Sequence, residues 1–410
     1  MAVKPYFTSS DLIEAVKRKI SFPASNVTFT HDDILRFANE EMFIAQVPSV
    51  LQWHEEYFVT SKVVPLEDSR NRYPIPDRAI GMKLRDLFYQ DTNGNLYEMT
   101  RIKREDQAYF QGNNGAGESI HKYFLEGNDV VLSPQINGAV TGSLLFVYFL
   151  RPNQLVENNR AAIITNFVET ITVNNASIVA NDTITIDDQV FTAVAGAPAA
   201  FEFQIGVTSI VTATNLVAAI TATSIVSGAS NGTPSTNTVT LTFSDRNLQV
   251  TTSNPTAFVI PITLGIQFDQ IPMNIAVNTE IDVLQTKPGH KTYTMDITVV
   301  TGAISGNVIN FTDTLIPEDV LVGDYIASAN ECIIPQIPPD LHNALAERTC
   351  ARILSALGDQ AGLTMTNTKI AEIEQRQGTL LDNRVEGSPM KVANRHSLLR
   401  FGKLGFRRRY

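Results

Sequence analysis

The residues best placed to do chemistry in this sequence are a glycine-rich loop, one histidine–glutamate pair, two cysteines and several adjacent carboxylates. Residues 112 to 119 read Gly-Asn-Asn-Gly-Ala-Gly-Glu-Ser. This fits the spacing of a phosphate-cradling loop except that Glu118 stands where the lysine belongs. That lysine neutralises phosphate charge, and a carboxylate would repel it. The segment that follows reads as a strand, whereas the motif needs a helix N-terminus. His54 to Phe58 reads His-Glu-Glu-Tyr-Phe, and a zinc-protease helix needs a second histidine where Phe58 sits. His54 therefore reads as a helix-end residue at an interface. The six histidines (31, 54, 121, 290, 342 and 396) show no ligand spacing. Cys350 falls in an apolar helical stripe and reads as buried, while Cys332 follows a β segment and could face solvent. Neither has a visible activator for a thiolate. The pairs Glu55-Glu56, Asp187-Asp188 and Glu318-Asp319 are adjacent, so their side chains diverge on helix or strand. No catalytic residue, cofactor or metal is expected, and a tail-associated hydrolase is the weakest of the functional readings.

The most informative segment is the C-terminal one, Asn394 to Tyr410, which reads NRHSLLRFGKLGFRRRY. Arg395, Arg400, Lys403, Arg407, Arg408 and Arg409 alternate with Leu398, Leu399, Phe401, Leu404, Phe406 and Tyr410, and Gly402 and Gly405 interrupt them. Three readings compete. The segment is a solvated disordered tail, or it binds nucleic acid through arginines and stacking aromatics, or it orders on a protein partner. Six large apolar groups in such a short stretch disfavour the first. The third is preferred, because arginine and aromatic residues dominate interface hot spots. With two glycines and few helix formers the segment would bind extended, in the manner of an added strand.

Charge is segregated along the chain. Of 410 residues only 18% are charged, below the usual ~25%, and the formal net charge is -10. From Arg160 to Asn330 there are 14 acidic and 4 basic residues, whereas Lys391 to Tyr410 holds 7 basic side chains and no acidic one. An acidic body with a basic tail points to a partner for the tail and argues against a free-standing nucleic-acid binder. Hydrophobic residues make up 43%, enough for a core. The 2 cysteines exclude a disulfide scaffold. Neither a membrane span nor a secretory signal is read.

The elements that would position these residues are legible in part. Ser9 and Ser10 offer caps for a helix through Arg18, and Thr30 opens a capping box with Asp33. Ile34, Phe37, Ala38, Met42 and Ala45 then recur at helical spacing, and Pro48 should end or kink that helix. A second helical piece covers Val50 to Phe58. Extended sequence follows through Tyr73-Pro74-Ile75-Pro76. Strands are expected at Leu84–Gln90, Asn95–Met99, Lys122–Leu125, Val130–Leu132 and Ser143–Leu150, with Asn93-Gly94 closing a hairpin. In the Thr-rich middle, Thr183–Ile186 and Gln189–Thr192 form a hairpin around Asp187-Asp188. Phe201–Ile205 and Thr238–Phe243 read as strands, and Thr208–Ala222 as an amphipathic helix. Alternating strands return from Tyr293 to Ala327. Pro338-Pro339-Asp340 starts a helix that Gly358 ends, and a second runs from Thr366 to Val385. The fold class is thus α+β: a helical bundle from the N- and C-terminal segments, an antiparallel β domain, an inserted small α+β domain and an extended tail. The expected divisions are 1–65, 66–159, 160–290 (the insert), 291–330 (return strands), 331–388 (helical hairpin) and 389–410 (tail).

Several phrases occur together and in order: His31-Asp32-Asp33-Ile34-Leu35-Arg36-Phe37-Ala38-Asn39-Glu40-Glu41, Glu55-Glu56-Tyr57-Phe58-Val59 and Tyr73-Pro74-Ile75-Pro76-Asp77-Arg78-Ala79-Ile80-Gly81, then Pro335-Gln336-Ile337-Pro338, Ala356-Leu357-Gly358-Asp359 and Asn383-Arg384-Val385-Glu386-Gly387. Together they resemble head-to-tail connector (adaptor) proteins of tailed bacteriophages, over residues 1 to 155 and 290 to 410. The insert, from Thr183 to Ala195 with Asn215 to Ile220, is similar to small domains of other phage structural proteins. The resemblance implies a non-enzymatic virion protein at the head–tail junction, assembled in the host cytoplasm. It implies a homo-oligomeric, dodecameric ring under the portal protein, with the tail docking on the portal, a downstream tail or nozzle protein below, and phage DNA passing through without sequence-specific binding. The rival is a tail-associated binding module whose β-rich insert recognises a host receptor or glycan.

Overall fold

Two threonines begin the helical part of the molecule. Thr8 caps α1 (Ser9–Lys19): its hydroxyl accepts from the Asp11 N–H, and Asp11 accepts from the Thr8 N–H at 2.9 Å. Thr30 and Asp33 make the same reciprocal pair ahead of α2 (His31–Glu41). The box at Thr30 is the one the spacing predicts, while at α1 the cap is Thr8 and not the serines after it. In the computed structural model, residues 7–20, 29–106, 122–133, 141–232, 235–261, 263–276, 278–286, 292–299, 304–305, 307–312, 316–317 and 319–381 are described.

After α2 the chain does not simply stop at Pro48. It passes through a π-helical turn, Met42–Gln46, into α3 (Val47–Trp53), where Pro48 occupies the first turn. Proline has no N–H for the carbonyl four residues back and its ring presses on that carbonyl. The wider π turn just before it gives the needed room. Helix α4 (Ser209–Thr221) is capped by Thr208. A 3-10 turn at Pro339–Leu341 leads into α5 (His342–Leu357), which Gly358 ends at φ +75. Helix α6 (Gln360–Leu381) starts earlier than the sequence suggested. Leu12, Val16, Ile34, Ala38, Leu345 and Ile353 are fully buried in one cluster that joins α1, α2 and α5.

The first strands are β1 (Val59–Pro65), β2 (Arg72–Pro74), β3 (Ala79–Gln90), β4 (Leu96–Glu98), β5 (Lys122–Glu126), β6 (Asp129–Ser133) and β7 (Ser143–Leu150). They form two antiparallel sheets, ordered β1-β7-β3-β4 and β2-β6-β5. Asp91 shapes the β3–β4 turn by accepting from the Asn93 and Asn95 N–H groups at 2.9 and 2.8 Å, with Gly94 at φ +86. Tyr73, Phe146 and Tyr148 fill the core between these sheets.

The next strands are β8 (Gln154–Leu155), β9 (Ala161–Val173), β10 (Thr183–Ile186), β11 (Gln189–Val194), β12 (Glu202–Gln204), β13 (Gly228–Ser230), β14 (Thr238–Phe243), β15 (Val250–Thr252) and β16 (Phe258–Val259). They are followed by β17 (Thr263–Phe268), β18 (Glu280–Leu284), β19 (Thr292–Thr298), β20 (Ile304–Ser305), β21 (Val308–Thr312), β22 (Tyr325–Ser328) and β23 (Glu331–Cys332). The 13-residue β9 is the spine, pairing antiparallel with β14, β16, β17 and β22. One core runs from Ala162 to Ile326. A second sheet, β12-β11-β10-β15, contains the hairpin expected around Asp187-Asp188, with Asp187 at φ +54.

The α+β class is found, with several antiparallel sheets and few helices. Strands dominate, however, and the expectation of a helical bundle as the body is not confirmed. The helices of the two ends form one packed cluster beside the sheets.

Candidate functional site

The residues expected to bind a partner, Arg395 to Tyr410, lie outside the described residues, as do Gly112 to Ser119. What can be described is how the preceding helix is held. Glu41 at the end of α2 is nearly buried and accepts from Arg352 Nε at 2.5 Å and Arg348 Nη1 at 3.2 Å. Arg348 also pairs with Glu374 on α6. A carboxylate of the 31–41 phrase thereby ties α5 and, through Arg348, the exit helix to the N-terminal helices. Glu41 also holds Arg352 more firmly protonated than usual, by hydrogen bonding and attraction.

Asn39, two residues earlier, clamps β8: its amide donates to the Leu155 carbonyl at 3.0 Å and its oxygen accepts the Leu155 N–H at 2.7 Å. Two further phrases, around Arg78 and Gln336, meet at a buried polar node. Arg78 donates to both oxygens of Asp282, at 2.7 and 2.8 Å, and to Asp296 at 2.5 Å. Asp282 is fully buried and also accepts from Asn153 Nδ2 at 2.6 Å and the Asn330 N–H at 3.0 Å. Gln336 accepts the Asn153 N–H at 2.7 Å and donates to Thr292 Oγ1 at 2.6 Å. Burial works against the Arg78 charge, but the hydrogen bonds and attraction of Asp282 and Asp296 outweigh it, so its pKa rises. Such a carboxylate is tolerated in the interior because its partners replace its lost water.

Beside the node opens a cleft of about 1460 Å³. Phe43 and Val47 of the π turn and α3 form one wall, Met295 and Asp296 another, and Ser61, Lys62 and Val63 of β1 a third. Neighbours on a strand point to opposite faces. Three consecutive residues bordering one cleft therefore place the outer backbone edge of β1 along it. Tyr148 lines the cleft with its hydroxyl pushed up to about 12 by burial. A second cleft of about 500 Å³ shares Phe43 and Gln154 with the first. The charges around the large cleft are mixed, with Lys62 and Arg151 facing Asp77 and Glu280. Mixed charge around an open strand edge suits a protein segment better than a small charged ligand.

His54 ends α3 and packs edge-to-face on Tyr57 at 5.7 Å, the helix-end role expected of it. Cys350 is buried, as expected, but so is Cys332, against the alternative that it faces solvent. The Cys332 thiol donates to the Ile334 carbonyl at 2.8 Å, and burial pushes both thiols up to about 12. The node escaped the sequence reading because Arg78 and Asp282 lie 204 positions apart, and no local spacing announces such a pair. The only signal was indirect: two of the phrases that carried the resemblance contain Arg78 and Gln336.

The chain is thus a mixed α+β protein with polar clamps fixing its helices to its sheets and an open strand edge on a cleft. Residues 7–180 match the family described as SU10 adaptor protein. The likeness to phage head-to-tail adaptors is thus shown over that segment. It supports a phage adaptor role in general, and with it a structural component of the virion. A search of curated proteins gives no match. No described helix is long and apolar enough to cross a membrane.

Proposed function

We propose that this chain is the ring-forming adaptor that joins the portal of a tailed phage to its tail. The adaptor-family match over residues 7–180 carries this reading. In the proposal, copies repeat one heterologous contact until a ring closes, twelvefold to match the portal. Arg395 to Tyr410 of each copy then docks extended on the portal, and a downstream tail or nozzle protein sits below. The ring encloses the channel for DNA, and the low density of lysine and arginine before residue 391 keeps passing phosphates from sticking. Residues 160–290 are taken as an insert on the adaptor body, carried outward on β9. The place of action is the head–tail junction of the virion.

The test is co-assembly. Full-length protein mixed with purified portal should give stacked rings in negative-stain images. A chain ending at residue 390 should keep its circular-dichroism spectrum and melting temperature but no longer sediment with portal. Undiminished portal binding by the shortened chain would remove the tail's assigned role.

A further inference from the structure

The sheet β1-β7-β3-β4 ends in two strands whose outer edges have no partner strand among the described residues. We propose that these edges join copies of this chain: β4 of one copy adds to β1 of the next, so that the sheet continues around the assembly. The inference rests on the ring reading above and supplies its contact.

Four observations converge. First, β1 is a seven-residue edge, long for a strand left open, and Val63 is 54% exposed on it. Open apolar edges template pairing with other chains, and proteins that do not use them usually blunt them. Proline guards only the last position, Pro65. Second, β4 is exposed at every residue, and Leu96 and Tyr97 are 52% and 39% exposed. Tyr97 is stiffened by stacking on Tyr89 at 6.2 Å, so the β3–β4 hairpin presents a preformed apolar strand. Third, the faces match. Val63 pairs with Leu145, Leu145 with Phe88 and Phe88 with Glu98, so Val63 and Leu96, two residues from Glu98, stand on the same face of the sheet and meet when the edges join. Fourth, the cleft beside β1 gives the incoming hairpin room against Phe43 and Val47.

The directions also agree. β1, β7, β3 and β4 alternate in direction, so β4 runs opposite to β1. A rotation about an axis along the strands preserves those directions and sets β4 antiparallel to the next copy's β1. Antiparallel ladders are slightly more stable per residue than parallel ones. The contact is heterologous, different surfaces meeting at each joint, which is the type that closes rings.

The experiment uses the full chain, alone and with portal. Sedimentation should show that Val63→Lys and Leu96→Glu each lower the oligomer fraction about tenfold, while the double variant restores it because the opposite charges then meet on one face. In a second measurement, Val63→Cys with Leu96→Cys should give a ladder of cross-linked multimers on mild oxidation, since both native cysteines are buried. Oligomers indifferent to both substitutions, or an absent ladder, would overturn the edge contact and leave the ring reading standing. If the unaltered chain stays monomeric even with portal, the ring reading itself falls and this inference with it. Circular dichroism of each variant separates a lost contact from a lost fold.

Discussion

Arg78 and Asp282 are the residues on which the junction between β3 and β18 depends. Removing one partner of a buried pair strands the other charge, so Arg78→Met should cost about 3–5 kcal/mol in urea unfolding. Asp282→Asn should cost less, because its amide still accepts from Asn153 and Asn330. The thiols give a second test. Below pH 9 both are neutral whether folded or unfolded. Between pH 9 and about 12 the unfolded chain ionises them while the folded one does not. Their contribution to stability is therefore complete below pH 9 and is lost as pH rises toward 12. At pH 8 a thiol reagent should label neither cysteine of the folded chain and both in denaturant; labelling of Cys332 without unfolding would contradict its burial. At this scale the sequence was uneven. The apolar stripe around Cys350 announced its burial, but the burial of Cys332 comes from packing against residues 156, 161 and 284, far away in the chain.

Individual elements were legible where their cause is local. The Thr30–Asp33 box, the Asn93-Gly94 turn, the Asp187-Asp188 hairpin and the Gly358 stop each depend on two to five adjacent residues, and each stands where the sequence put it. Thr30→Ala should accordingly cost about 1 kcal/mol, read from chemical denaturation. β9 was not legible. Its burial runs B-B-i-B-i-i-B-B along the first eight positions, because strands on both sides cover it, so the period-two signal fails. The π turn before Pro48 was likewise not legible, since a proline there predicts only that the helix ends or kinks. β9 yields its own test through Gly265 on β17, where a methyl group would stand 2.8 Å from Asn310 Oδ1 and 3.0 Å from the Val168 carbonyl. Gly265→Ala should destabilise by about 1–3 kcal/mol, since overpacking forces the ladder apart, and an unchanged melting temperature would mean that β17 and β9 are less closely apposed than described.

Across the whole molecule, two kinds of contact are assigned to two different surfaces. The tail, rich in cations and aromatics, was conspicuous in the sequence because its composition differs from everything before it. The β1 and β4 edges were invisible there, since an unpaired edge is a property of sheet order, and sheet order is set by pairings up to 90 residues apart, such as Val59 with Phe149. The two surfaces should respond differently to salt. In the proposed docking, the attraction between the tail's arginines and the portal is screened as ionic strength rises, with a Debye length falling from about 10 Å at 0.1 M to about 3 Å at 1 M. A backbone ladder backed by Val63, Leu96 and Tyr97 depends far less on it. Raising salt should therefore release the portal before it dissolves the ring. The surfaces are also linked through number. In the proposed ring the tails stand together, so each docking would raise the effective concentration of the next. Val63→Lys, which leaves every tail intact, should then weaken portal binding by about 100-fold or more, with the single-tail affinity unchanged when residues 391–410 are measured as a peptide. Equal portal binding by ring and monomer would show that the tails act singly, and that the circle does not serve to gather them.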